Sequence, residues 1–119
     1  MSLNKSTVAI YRQIIDYFQY EIASGRAVPG ERIDSIRNLA LKFKVNPNTV
    51  QKGLTELERD GFIITDRTNG KFVTEDEVKI QELKQKLTHD LTVDFVQRAK
   101  DLNIGSEALL EAVTLVWEE

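Results

Sequence analysis

The sequence predicts a mainly α fold with a small β-wing. Three observations in its 119 residues carry that prediction. Apolar residues recur at three- and four-residue spacing in several separate stretches. One pair of short β-branched and aromatic runs flanks Thr68-Asn69-Gly70, a hairpin turn signal. Beyond the hairpin the pattern changes to one long, unbroken apolar stripe.

The elements follow in order. Residues 8–23 place Ile10, Ile14, Ile15, Phe18 and Ile22 on one face of a first helix, with Thr7 able to cap its start and Gly25 where it stops. Val28-Pro29-Gly30 then makes a turn, because proline presets one backbone angle and glycine accepts the left-handed one. Asp34-Ser35 offers a cap for a short second helix carrying Ile36, Leu39, Ala40 and Phe43. Asn46-Pro47 is a cap residue followed by a proline at the first helical position, opening a third helix that reaches about Asp60 and ends at Gly61. Two short helices about three residues apart form a helix-turn-helix. Phe62–Thr65 and Phe72–Thr74 are the strands of the hairpin. Helix, helix-turn-helix and wing together make a winged helix.

From Glu75 to Lys100 a long helix carries Ile80, Leu83, Leu87, Leu91, Phe95 and Ala99 in one stripe. Asn103-Ile104-Gly105 breaks it, and Ser106 can cap a last helix with Leu109, Leu110, Val113, Val116 and Trp117. The predicted organisation is a winged-helix domain over 1–75, a short hinge near Thr74 to Glu77, and a two-helix C-terminal dimerisation segment over 76–119.

Composition narrows the chemistry. There is no cysteine, so disulfides, thiol catalysis and Cys-ligated zinc are excluded, and the single His89 cannot build a multi-histidine metal site. His89 and Asp90 are adjacent and point about a hundred degrees apart on a helix, so His89, Asp90 and Asp94 do not converge on a metal. No nucleophile arrangement, paired catalytic carboxylates or phosphate-binding glycine loop is found. The expectation is a protein that is not an enzyme and uses no cofactor or metal. No apolar run approaches the ~20 residues that span a bilayer, and the N-terminal residues lack the apolar core of a secretory signal, so the expected compartment is the cytoplasm.

The net charge of −3 speaks against a polyanionic partner until the chain is divided. Residues 1–75 carry 11 Lys/Arg against 9 Asp/Glu, and residues 76–119 carry 5 against 10. Only the first part can approach nucleic acid, through a local patch. The third helix supplies one. Val50, Leu54 and Leu57 face inward with Gly53 among them, where the missing side chain permits close helix approach. Asn48, Gln51, Lys52 and Thr55 then share the opposite face at i, i+3, i+4 and i+7. Asn and Gln can pair with adenine edges, and Lys can reach guanine or a phosphate. Arg37 in the second helix, Lys42 and Lys44 near the corner, and Arg67 and Lys71 beside the wing turn can hold the DNA backbone or minor groove. Taken singly, each of these residues also fits a solvated surface. Together they fall where a winged helix meets DNA.

Arg26 to Ala40, with Val28-Pro29-Gly30-Glu31-Arg32-Ile33 and Ser35-Ile36-Arg37-Asn38-Leu39-Ala40, resembles the start of the GntR-family DNA-binding domain. Val45-Asn46-Pro47-Asn48-Thr49-Val50, Leu57-Glu58 and Gly61-Phe62-Ile63 continue the resemblance, and the Asn-Pro-Asn-Thr-Val wording with a short helical tail is most similar to the YtrA subfamily. The resemblance implies a transcriptional regulator whose winged helix binds an operator in double-stranded DNA as a homodimer; our expectation from the sequence is a repressor on an inverted-repeat operator. Arg37, Asn46, Asn48, Thr49, Gln51, Arg67, Asn69, Gly70 and Lys71 match the family's DNA-contacting places. Asp34 replaces the usual proline, Thr68 stands where many members have the first wing glycine, and Gln51 replaces an arginine of relatives outside the subfamily. These departures imply an altered operator preference.

The 44 tail residues are too few for a large ligand-binding domain. Leu83, Leu87, Leu91, Phe95, Leu109, Val113 and Trp117 need a covering surface, since exposed apolar area costs about 25 cal/mol per Å². Packing against the first helix of the same chain covers part of this surface but not all; a second copy covers the rest and sets two reading helices one DNA turn apart, ~34 Å. An unidentified small-molecule effector could act by changing the angle across the hinge. The alternative reading is a winged-helix protein–protein interaction module without DNA binding.

Overall fold

The computed structural model describes residues 9–119. The element order is α1 (Ile10–Ser24), α2 (Ile36–Phe43), α3 (Pro47–Arg59), β1 (Ile63–Asp66), β2 (Gly70–Val73), α4 (Glu77–Asp101) and α5 (Ser106–Trp117). The mainly helical fold with one antiparallel hairpin matches the sequence expectation; among the described residues there are five helices and two strands, the wing strands running over Ile63–Asp66 and Gly70–Val73 rather than Phe62–Thr65 and Phe72–Thr74.

In α1, Ile14, Ile15, Phe18 and Ile22 are buried, while Ile10 is only half-buried. Gly25 closes the helix in a left-handed cap whose N–H donates to Ile22 O. The Thr7 cap proposed for its start lies outside the described residues. Ser35 caps α2 by accepting the Asn38 N–H at 3.1 Å, and Leu39, Ala40 and Phe43 turn inward. Asn46 caps α3 by accepting the Asn48 N–H at 2.8 Å, with Pro47 at the first position. Val50, Leu54 and Leu57 are fully buried. Gly53 lies where α3 crosses α1: a Cβ there would sit 3.0 Å from Ile14 Cγ2 and 3.3 Å from Tyr11 O.

The wing pairs Ile63 with Val73 through to Asp66 with Gly70, so its loop is Arg67-Thr68-Asn69. A short extended segment, hidden from the sequence patterns, lies along the other side of β2. The Ile33 N–H donates to Lys71 O and the Val73 N–H to Glu31 O, both at 2.8 Å. Arg32 bridges to Phe72. The outer edge of β2 is thereby paired rather than left open.

The junction after the wing is a hydrogen-bonded corner. Thr74 is buried; its N–H donates to Phe62 O at 2.9 Å and its Oγ1 accepts the Asp76 N–H at 3.1 Å. Asp76 in turn accepts the Lys79 N–H at 3.1 Å, and the Lys79 ammonium lies over the Phe62 ring. Two compact units meet at Lys84 and Gln85, inside α4. The first unit thus keeps the opening turns of the long helix. Leu83 is buried there, 3 % exposed. That corrects its place in the dimerisation stripe, because a side chain already covered by its own chain has no surface left for a partner.

In the second unit, Gln85–Glu119, α4 ends at a left-handed Asn103, and the Ile104 N–H donates to Ala99 O at 3.0 Å. Ala99 is buried. Ser106 does not cap α5: Gly105 occupies the cap position and makes no side-chain bond, so Ser106 is the first helical residue. No residue of α5 is buried.

Candidate nucleic-acid interface

The amphipathic split of α3 sets the site. With Val50, Gly53, Leu54 and Leu57 inside, Asn48, Gln51, Lys52 and Thr55 are all exposed on the opposite side. Arg59, one turn past Thr55, prolongs that face; it is exposed and loosely paired with Glu56 at 3.8 Å. The sequence reading missed it by stopping at i+7, although i+11 completes three turns.

Several of these side chains are already oriented. Gln51 Nε2 donates to Thr55 Oγ1 at 3.1 Å, which leaves one amide N–H and the carbonyl oxygen of Gln51 for a base edge. The Lys52 ammonium stands over the Tyr11 ring, 3.9 Å from its centroid, a cation–π contact that holds it beside Asn48. Tyr11 reaches this place from α1 and so belongs to the site, a residue that the sequence patterns did not single out. Asn46 spends its carbonyl oxygen on the cap, and Thr49 is half-buried. Asn48 is exposed with no side-chain partner among the described residues.

Around this helix, Arg37 is exposed on the first turn of α2 and has no partner among the described residues. Asp34, the departure beside it, is used locally: its Oδ1 accepts from Asn38 Nδ2 at 2.9 Å and from the Ser35 N–H at 2.8 Å. Those bonds hold its carboxyl below the usual aspartate range. Lys42 donates to the Tyr17 hydroxyl at 3.0 Å, which raises its pKa.

At the wing tip, Asp66 Oδ1 accepts the backbone N–H groups of Thr68 and Asn69, and Oδ2 accepts Asn69 Nδ2 at 3.1 Å. The same bonds hold the Asp66 carboxyl low. Asn69 therefore shapes the turn with its side chain. Gly70 has φ +105°, and the Arg32 guanidinium would lie 3.4 Å from a Cβ there, so this position admits no side chain without strain. Arg67 points out with no partner among the described residues. Lys71 differs: its ammonium sits 3.1 Å from Glu58 Oε2 and 3.0 Å from Thr65 Oγ1.

In the tail, Leu91, Phe95, Val113 and Trp117 are exposed, Trp117 by 86 %, and Leu87 and Leu109 are half-buried. Leu102, Leu110, Leu115 and Val116 add to this uncovered apolar surface. Among the described residues no group of three His, Asp or Glu could hold a metal ion, and no helix is long and apolar enough to cross a membrane.

A helix-turn-helix whose second helix shows one polar face, followed by a hairpin wing, defines a winged-helix protein of the DNA-binding class. The chain belongs to the GntR family: the bacterial regulatory proteins of the gntR family match residues 10–73. It is 38 % identical over 114 residues to the uncharacterized HTH-type transcriptional regulator YhcF of Bacillus subtilis (strain 168), covering 96 % of this chain and 94 % of that protein. It is 37 % identical over 89 residues to the HTH-type transcriptional repressor YtrA of the same organism, covering 70 % and 68 %. Among solved structures, a GntR family transcriptional regulator from Listeria monocytogenes superposes with a TM-score of 0.86 at 36 % identity, over 94 % of this chain and 97 % of that one. The YtrA-like character read from the sequence agrees with these relatives.

Proposed function

We propose that this GntR-family regulator is a repressor that reads an inverted-repeat operator as a homodimer, with α3 in the major groove and the wing on the backbone. The observation that carries this reading is the division of α3. Its aliphatic side is fully buried while Asn48, Gln51 and Lys52 are open to solvent. Gln51 and Asn48 take the base contacts, Lys52 a guanine or phosphate, and Arg37 and Arg67 the backbone. Occupancy of a promoter by such a dimer blocks transcription without further chemistry, in keeping with a binding protein rather than an enzyme. The repressor name of the 37 % identical relative supports the sign. The homodimer is supported by α5, none of whose apolar side chains is buried by the described residues.

In this reading an unidentified small-molecule effector changes the angle between the two DNA-binding domains; operator affinity unchanged by every candidate effector would remove that part. Selection from a random-duplex pool tests the reading directly, and an enriched inverted repeat is expected. With about six phosphates neutralised per dimer, log affinity should fall against log salt with a slope near −5. No enriched duplex, or a flat salt dependence, would favour the protein-docking module instead.

A further inference from the structure

We propose that Lys71 is a positioning residue that fastens the wing to α3, leaving Arg67 as the wing's charge for the DNA backbone; this rests on the regulator reading above. Three groups from three elements close on one point. Glu58 Oε2, on α3, accepts from Lys71 Nζ on β2 at 3.1 Å and from the Thr65 hydroxyl on β1 at 2.7 Å. Lys71 also donates to Thr65 Oγ1 at 3.0 Å. Thr65 and Lys71 are cross-strand partners, so the triangle ties both strands to the last turn of the reading helix at once.

The surroundings favour a strut over a free phosphate contact. The Lys71 side chain is only 21 % exposed and that of Glu58 34 %, where charge-assisted hydrogen bonds are stronger than at an open surface. A lysine that left for a phosphate would leave the half-buried Glu58 carboxylate with the Thr65 hydroxyl but no counter-charge, which opposes the move. An ammonium already neutralised by a carboxylate also adds little to counterion release. Arg67, two residues before the other end of the turn, has none of these ties among the described residues.

The test uses the full chain and the duplex that it enriches from a random pool. Lys71→Met keeps the alkyl stem and removes the charge. It should weaken binding about three- to tenfold, the scale of one net hydrogen bond at a partly exposed site, with the salt slope unchanged. Arg67→Met should instead flatten the slope by about 0.9 per wing. Glu58→Gln should free Lys71 and steepen the slope, an effect absent when Lys71→Met is added. Lys71→Arg, which can keep the Glu58 bond, should restore affinity. In the free protein, the unfolding effects of Glu58→Gln and Lys71→Met should be strongly non-additive. A Lys71→Met slope as flat as that of Arg67→Met, or additive unfolding effects, overturns the proposal. If no duplex is enriched, the regulator reading falls on its own, and the unfolding cycle still decides whether the strut exists.

Discussion

Single side chains on α3 are aimed by neighbours before any ligand arrives. Thr55 takes one amide proton of Gln51, so the remaining N–H and the carbonyl oxygen present the donor–acceptor pair that an adenine edge requires. Gln51→Ala should relax base preference at one position and cost roughly 1–3 kcal/mol, measured by competition between operator variants. Arg37→Ala should weaken all duplexes alike, since a phosphate contact carries no sequence information. Tyr11 offers a sharper case. Its ring holds the Lys52 ammonium at 3.9 Å. Tyr11→Phe keeps the π face and should bind like the natural protein. Tyr11→Leu fills similar space without that face and should lose about 0.5–1 kcal/mol of operator affinity, measured by titration at low salt. Equal losses from the two changes would show that the hydroxyl, not the ring, matters.

At the scale of elements, most of the fold was legible because its signals are local. The caps at Ser35 and Asn46, the proline of α3 and the apolar faces of α1 to α3 each depend on residues within a few positions of one another. What stayed hidden depends on distant pairs. The segment at 31–33 joins β2 across some forty residues, Tyr11 meets Lys52 across the α1–α3 crossing, and Glu58 meets Lys71 thirteen residues on, from the far strand of the wing. The corner after the wing was hidden in part for the same reason, since the Thr74 N–H donates to Phe62 O twelve residues back, while its Oγ1 accepts the nearby Asp76 N–H. Gly53 was readable because it interrupts a buried face. Its replacement by alanine gains about 1 kcal/mol of helix propensity. Against that, a methyl would press on fully buried Ile14 and on the Tyr11 carbonyl, neither free to retreat, at an overpacking cost of about 1–3 kcal/mol. The net expectation for Gly53→Ala is a loss of about 1 kcal/mol in denaturant unfolding. The wing tip answers to pH instead. Asp66 is held below the usual aspartate range by the Thr68 N–H and by Asn69. Its contribution is complete above the unfolded carboxyl's range and lost as pH falls through the lower folded value. The protection of the Thr68 and Asn69 amides against exchange, taken relative to an unstructured peptide at the same pH, should therefore be lost only in strong acid, and Asp66→Ala should show that low protection at neutral pH.

For the molecule as a whole, the decisive fact is where apolar surface remains uncovered. The first unit closes its own core up to Leu83, whereas α5 buries nothing and Trp117 is 86 % exposed. A helix apolar around most of its circumference is stable only when something covers it. If a second copy does, then Trp117, the only tryptophan, reports the event. Its emission should shift to the red as the full chain is diluted through dimer dissociation, and the shift should coincide with the fall in mass measured by sedimentation. Phe95→Glu combined with Val113→Glu should leave a monomer at all concentrations, since neither carboxylate can be buried unpaired at an apolar interface. The winged helix should stay folded in that variant, because neither position lies in its unit. Its operator affinity should fall by 10²–10⁴, about the gain that tethering two half-site readers provides. A variant that remained dimeric would place the interface elsewhere; a monomer of undiminished affinity would mean that one reading helix suffices.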